Sequence, residues 1–184
     1  MQGNNTKFYF KQGFFFLCAI FALLFPLKWI LAWIIAMGVH ELFHYIALRL
    51  FNITVYEISP GLRGVIMKTE ALPIHVEIIS ALAGPIGGLS LLLFSHWLPY
   101  VAICAAVQSA FNLLPLYPLD GGRVLLGVLE MVFNEHGMKI YVVIKWFIIA
   151  LMSICAIAAV YLGLGIIPII IVSFIILKSS CKHE

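Results

Sequence analysis

Long apolar stretches separated by short polar segments run through the whole chain. A membrane-spanning helix needs about 20 mostly apolar residues. Six stretches approach or reach that length, at roughly 12–27, 29–51, 74–95, 98–116, 140–161 and 163–178. The pattern predicts an all-α membrane protein with about six transmembrane helices. An additional amphipathic or re-entrant helix is predicted at 123–134.

The segment 52–73, between the second and third spans, has a different pattern. It contains β-branched residues, Pro60-Gly61, Gly64 and two glutamates, which together predict two short strands around a turn. It is too polar to span a bilayer, so we expect this β-hairpin to lie against the cytoplasmic membrane face. Its edge could pair with an extended peptide. A loop that merely connects two spans fits the sequence as well.

Composition agrees with a bilayer environment. Of the 184 residues, 64% are hydrophobic and 10% charged, and the mean hydropathy is +1.10, whereas ordinary soluble domains have about 25% charged residues. The net charge of +3 is scattered, so no nucleic-acid partner is expected. The four cysteines form no C-x-x-C pair, which argues against a disulfide framework or a thiolate zinc site.

The distribution of charge predicts the orientation of the chain. Six spans place both termini on one side, and most lysines and arginines fall on that side, while Lys28 falls clearly on the other. The positive-inside rule then predicts that both termini face the cytoplasm, as does the end of the second helix near His44. The first apolar stretch has no small-residue cleavage pattern and is interpreted as an uncleaved span.

The second span contains the sequence "HELFH", with His40, Glu41 and His44. Ionisable groups at membrane depth are costly unless they are paired or functional. Helical spacing places the two histidines one turn apart on one face, where both imidazoles could bind one zinc ion. The glutamate could take a proton from the attacking water, as in H-E-x-x-H metalloproteases. The alternative is three residues that are hydrogen-bonded inside a helix bundle.

Catalytic zinc usually has three protein ligands, and the chain contains a single aspartate, Asp120, in "FNLLPLYPLDGGRVL". Pro115 and Pro118 prevent a regular helix there, and broken backbone at membrane depth is tolerated where it is buried in protein or lines a cavity. Alone, Asp120 could equally be a turn residue or a helix N-cap. Beside a histidine pair that lacks its third ligand, we favour the ligand interpretation.

Three motifs carry a resemblance to a known family. "HELFH", "SALAGPIGG" (80–88) and "NLLPLYPLDGG" occur in this order and resemble the signatures of the site-2 proteases, intramembrane zinc metalloproteases of peptidase family M50. The short first hairpin and six spans look most like the stage IV sporulation protein FB subgroup. The resemblance implies one Zn²⁺ per chain held by His40, His44 and Asp120, with Glu41 as the catalytic base. It also places Asn112 at the active site.

The resemblance further implies a substrate class and a location. We expect one polytopic protease domain, 1–184, with a catalytic core at about 29–134 and no CBS or PDZ domain. It would cleave a membrane-anchored sigma-factor precursor or anti-sigma factor within or near its transmembrane segment, in a bacterial cytoplasmic membrane. A membrane regulatory partner or a second copy of the chain are candidate partners. Gly88 departs from the family, which often has Asn there. A metal-ion transporter or a metal-binding membrane scaffold are the alternatives.

Overall fold

A computed structural model describes residues 6–61, 64–163 and 165–180, which form two compact units, Met1–Leu114 and Pro115–Glu184. The first unit contains β1 (Lys7–Phe8), α1 (Gln12–Leu24), α2 (Leu27–Leu50), β2 (Val55–Gly61), β3 (Gly64–Thr69), α3 (Ile74–Ser90), a 3₁₀ turn (Leu91–Phe94) and α4 (Pro99–Asn112). The second contains α5 (Asp120–Phe133), a 3₁₀ turn (Asn134–His136), α6 (Gly137–Tyr161) and α7 (Ile167–Ser180).

The described helices are apolar and differ in length. Three stretches are long and apolar enough to cross a membrane, at Leu27–Leu50, Ile74–Phe94 and Asp120–Tyr161. Helices α1, α4 and α7 are shorter, with 13, 14 and 14 residues. The long apolar helices indicate an integral membrane protein, and the count of six spans stays a prediction.

The strands predicted in 52–73 are present as β2 and β3, which form an antiparallel hairpin. The chain between them, 62–63, lies outside the described residues. The sequence did not predict β1, which pairs in parallel with β2 through Lys7 opposite Glu57 and Phe8 opposite Ile58. A strand of two residues is too short to leave a periodic pattern, so hydrophobic alternation could not reveal it.

The hydrogen bonds beyond β1 show which way the backbone of β2 points. The N–H of Tyr9 donates to the carbonyl of Ile58 at 3.3 Å, and that of Lys11 donates to the carbonyl of Pro60 at 2.9 Å. The polar groups of Ile58 and Pro60 therefore face β1, and the residues between them face β3. Pro60 has no N–H to donate, and its position in β2 points that missing donor toward the short strand β1, where a hydrogen bond is least needed.

The outer edge of the hairpin follows from this alternation. Pro60 pairs with Val65 and Ile58 with Met67 across the hairpin. Because the polar groups of Ile58 and Pro60 point to β1, these are non-hydrogen-bonded pairs, and the N–H and C=O of Val65 and Met67 point away from β2. Among the described strands, none pairs with this edge of β3.

The junction between α2 and the hairpin is tightly specified. Asn52 has a φ of 59°, its N–H donates to Arg49 O at 3.0 Å, and the N–H of Ile53 donates to Leu48 O at 3.0 Å. This is a Schellman end, in which a residue in left-handed conformation stops the helix. The buried cluster that results contains Leu48, Ile53, Val55 and Val76. The cluster ties the hairpin to the end of α2 and the start of α3.

Candidate metal centre

His40 and His44 lie one turn apart on one face of α2, as their spacing predicts. Both side chains are buried, with 2% and 9% of their surface exposed. Their Nε2 atoms are 3.1 Å apart, and their rings stand nearly perpendicular, at 84°. Two nitrogens that bind one tetrahedral zinc ion at 2.0–2.1 Å are about 3.3 Å apart. The spacing of the imidazoles therefore fits a shared metal ion.

The orientation of His44 is fixed by the neighbouring helix. Its Nδ1 lies 2.6 Å from the carbonyl oxygen of Ser80 in α3. A carbonyl can only accept, so Nδ1 carries the hydrogen and, in the neutral imidazole, Nε2 keeps its lone pair. Metal-ligating histidines usually donate their second ring N–H to such an acceptor, which fixes the tautomer and the ring. His44 thus has its lone pair on Nε2, the nitrogen nearest His40.

Glycines let α3 approach its neighbours closely. A Cβ at Gly84 would overlap the imidazole of His44, and one at Gly87 would overlap the ring of Phe43. These contacts give the glycines of this helix a packing role, since small residues allow helix backbones to come close. For Gly84 the contact is with a candidate metal ligand, which the sequence did not reveal.

Asn112, the last residue of α4, lies beside the histidine pair. Its Nδ2 is 3.4 Å from Nε2 of His40, within reach of a hydrogen bond. One turn earlier on α4, Ser109 is fully buried, and its Oγ fills the space that a side chain at Gly88 would need. A hydroxyl from α4 therefore occupies the space beside Gly88. Sequence reasoning missed Ser109.

Glu41 follows His40 on α2 and is half-buried. Successive residues are 100° apart around a helix, so its carboxylate projects beside the imidazole face rather than along it. The first unit therefore supplies two imidazoles, an amide and a carboxylate within a little more than one helical turn of α2 and the end of α4.

Asp120 is the first residue of α5 in the second unit, and it is buried with 8% of its surface exposed. Its Oδ1 lies 4.0 Å from Nη1 of Arg123. The helix predicted from residue 123 starts three residues earlier, with Leu119 as the N-cap, so the N-cap interpretation of Asp120 is wrong. A carboxylate in the first helical turn is favoured by the helix dipole.

The segment before Asp120 is irregular, as its prolines predict, and it is closely held. Leu116 is 1% exposed, and the N–H of Leu119 donates to its carbonyl at 2.9 Å. A Cβ at Gly122 would overlap the backbone of Leu116 and Tyr117, so the first turn of α5 lies directly against this segment. The side chain of Asp120 therefore follows a backbone segment that these contacts hold in place.

The candidate ligands form a donor set suited to zinc. His40, His44 and Asp120 are buried and each offers one ligand atom. Two imidazole nitrogens and one carboxylate oxygen are the ligands of known catalytic zinc sites, which leave a fourth position open. The residues present therefore fit a catalytic metal ion.

Two comparisons with known proteins gave matches. Residues 71–154 match the model of peptidase family M50, a range that includes Asn112 and Asp120 and ends before the last helix. The chain also resembles the solved structure of a site-2 protease from Methanocaldococcus jannaschii, with a TM-score of 0.68 and 21% sequence identity, over 96% of this chain and 92% of that one. A comparison with curated proteins gave no match.

The two matches concern the fold of the chain and the family of one part of it. The chain has the fold of that site-2 protease, and the family match supports its assignment to peptidase family M50, whose members are typically zinc-dependent metalloproteases. The family match covers residues 71–154, whereas the likeness of fold extends over nearly the whole chain.

Proposed function

We propose that this protein is an intramembrane zinc metalloprotease that cleaves a membrane-anchored regulatory protein within or near its transmembrane segment. The observation that carries the proposal is the buried pair of His40 and His44, whose Nε2 atoms are 3.1 Å apart. The carbonyl of Ser80 leaves the lone pair of His44 on that nitrogen. A pair that only filled a helix bundle would not need this arrangement of lone pairs.

In this proposal each side chain has a separate task. His40, His44 and Asp120 hold one Zn²⁺, which when bound polarises the scissile carbonyl and lowers the pKa of water to about 7. Glu41 accepts a proton from the attacking water and delivers it to the leaving amine. Asn112, whose amide reaches His40, donates a hydrogen bond toward the substrate carbonyl.

The substrate reaches the site as an extended chain. Peptide bonds inside a transmembrane helix are shielded by their own hydrogen bonds, so the helix must open before it is cut. The outer edge of β3 offers the outward N–H and C=O of Val65 and Met67 to an extended peptide, which could pair as an added strand. Because β1 covers part of the other edge of the sheet, we assign substrate pairing to β3.

The substrate class and location are part of the proposal. The three motifs and the short first helix favour the stage IV sporulation protein FB subgroup, and with it a sigma-factor precursor or an anti-sigma factor as the substrate. The positive-inside rule favours a bacterial cytoplasmic membrane with the site and both termini toward the cytoplasm. The catalytic core would cover about 29–134.

Metal analysis and cleavage in parallel test the proposal. Purified wild type and Glu41→Gln should each hold about one zinc per chain, because Glu41 is not a ligand, and Asp120→Ala should lose most of it. Tagged single-span sigma-factor precursors and anti-sigma factors, co-expressed with each variant, should be cut by wild type and not by Glu41→Gln. Glu135→Gln, an exposed carboxylate in the turn before α6, is the matched control and should cut normally.

Each alternative class predicts a different result. A metal transporter would move zinc into liposomes whether or not Glu41 is present, and a metal-binding scaffold would hold zinc without cutting any substrate. Full cleavage by Glu41→Gln would refute the assigned base.

A further inference from the structure

Tyr141 lies in the second turn of α6, 21 residues after Asp120, and outside every motif in the chain. Its side chain is 4% exposed, and its Oη accepts a hydrogen bond from the backbone N–H of Tyr117 at 2.5 Å. We propose that Tyr141 is a positioning residue that holds Asp120 in place as a metal ligand. The inference rests on the proposed function, since it assumes that Asp120 binds zinc.

The bond reaches a part of the backbone that lies outside the helices. Tyr117 stands between the end of α4 at Asn112 and the start of α5 at Asp120. Buried backbone N–H groups are nearly always paired, because leaving one without an acceptor costs free energy. Tyr141 brings that acceptor from a separate helix.

The same amide is held from a second direction. A Cβ at Gly122 would overlap the nitrogen of Tyr117, so the first turn of α5 rests against the group that Tyr141 binds. Between Tyr117 and Asp120 stand two residues, of which Pro118 has a ring-restricted φ. Leu119 is tied to the carbonyl of Leu116. A displacement of the Tyr117 amide would therefore also displace the carboxylate of Asp120, because the segment between them is short and restrained.

A tyrosine in this place needs such an explanation. Helix α6 is mostly apolar, although it also contains Lys139, Lys145, Ser153 and Tyr161, and a buried phenol normally has a hydrogen-bond partner. Phenylalanine would fill the same volume at lower cost if packing were its sole task. The task that we assign to the hydroxyl is to orient the chain before Asp120, in the way that outer-shell partners orient metal ligands.

The test compares Tyr141→Phe with Tyr161→Phe, the same chemical change at the far end of the same helix, where the side chain is 94% exposed. Zinc affinity of the purified full chain in detergent is measured by competition with a chelator. Tyr141→Phe should bind zinc about 10-fold more weakly, as is typical when an outer-shell partner is lost. In Co²⁺-loaded protein, its visible d–d bands should shift. Tyr161→Phe should match wild type in both.

The outcomes separate this inference from the proposed function. Wild-type zinc affinity and Co²⁺ bands in Tyr141→Phe, with metal lost in Asp120→Ala, would overturn the positioning role and leave the protease intact. A wild type that holds no zinc would overturn both. If Tyr141→Phe lowers the Tm of the apoprotein, the rise in Tm on adding zinc distinguishes a positioning role from a purely structural one. A rise equal to that of wild type means a purely structural role and overturns the inference, and a smaller rise supports it.

Discussion

The carbonyl oxygen of Ser80 accepts a hydrogen bond from Nδ1 of His44 at 2.6 Å. A main-chain group of α3 thus sets the tautomer of a candidate zinc ligand on α2. Helix α3 can come this close because Gly84, one turn further along, has no side chain to meet the imidazole. A carbonyl cannot be removed by substitution at its own position, so the spacing between the helices is the quantity to perturb.

Gly84→Ala should displace the imidazole of His44, because the added methyl group overlaps the ring. We expect zinc affinity to fall by about 10-fold or more and the free energy of unfolding to fall by about 1–3 kcal/mol from overpacking. Chelator competition and thermal unfolding in detergent measure the two effects. Gly38→Ala is the control, since no atom lies within 4 Å of its added Cβ. Unchanged zinc affinity in Gly84→Ala would contradict the proposed contact.

Gly88 and Ser109 should show strong coupling in a double-mutant cycle. Gly88→Ala alone drives a methyl group into the buried hydroxyl of Ser109 and should cost about 1–3 kcal/mol of stability. Adding Ser109→Ala removes the hydroxyl, and the new Cβ is then 3.7 Å from the Cβ of residue 109, an ordinary contact. The double variant should recover most of the lost Tm. Additive losses would mean that the two residues do not share this space.

Proline at the outward positions of β3 should reduce cleavage without unfolding the hairpin. Val65→Pro and Met67→Pro each remove an N–H that points away from β2, so an added substrate strand loses a hydrogen bond while the ladder to β2 stays complete. Val65→Ala keeps that N–H and is the control. Cleavage of a co-expressed substrate, normalised to protein level, is the measurement. Normal cleavage by both proline variants would favour a merely connecting hairpin.

Glu57 should make the sheet sensitive to acid. The hydroxyl of Tyr9 donates to Oε1 at 2.7 Å and the ammonium of Lys68 lies 3.2 Å from Oε2. These two contacts, with the Tyr9 hydrogen bond the larger cause, hold the pKa of Glu57 below its ordinary 4.5. A lowered pKa in the folded state means that the stabilisation is present above the unfolded-state pKa and is lost as the pH falls through the folded one.

Backbone hydrogen exchange in β1 measures this effect. Protection of the amides of Tyr9 and Lys11, corrected for intrinsic exchange, should fall as the pH drops below the ordinary glutamate pKa of 4.5, because a glutamate with a lowered pKa is protonated below it. Glu57→Gln should show weaker protection at neutral pH and little change in that range, and Glu135→Gln should follow wild type. Equal protection in Glu57→Gln at every pH would contradict the role of the carboxylate.

The sequence predicted the structure correctly where the regular spacing of residues in a helix or strand determines which side chains share a face. The shared face of His40 and His44 follows from helical spacing alone, and the strands of 52–73 follow from their β-branched and turn residues. Helix α4, predicted to reach residue 116, ends at Asn112, because Pro115 restricts the backbone before it. Pro115 therefore indicated the correct end of α4, although the apolar pattern continued beyond that end.

Contacts that depend on tertiary approach could not be predicted in the same way. The carbonyl of Ser80 has no sequence signature, and the fit of Ser109 against Gly88 depends on how two helices pack. Tyr141 left a weak signal, since a phenol inside an apolar helix requires a partner, but the sequence does not say that the partner is the amide of Tyr117. The contacts of such residues can be identified only when the three-dimensional packing of the helices is known.

The parallel pairing of β1 with β2 has a topological consequence. The chain that joins the two strands contains α1 and α2, and with both helices as the predicted spans we expect this helical pair to leave and re-enter the same leaflet. The 24 residues of α2 rise about 36 Å, enough for the hydrocarbon core of about 30 Å, whereas the 13 of α1 rise about 20 Å. The outgoing leg, α1, is too short for an undisturbed bilayer, and a short span is accommodated by thinning the lipid around it. The bilayer beside α1 should therefore be locally compressed.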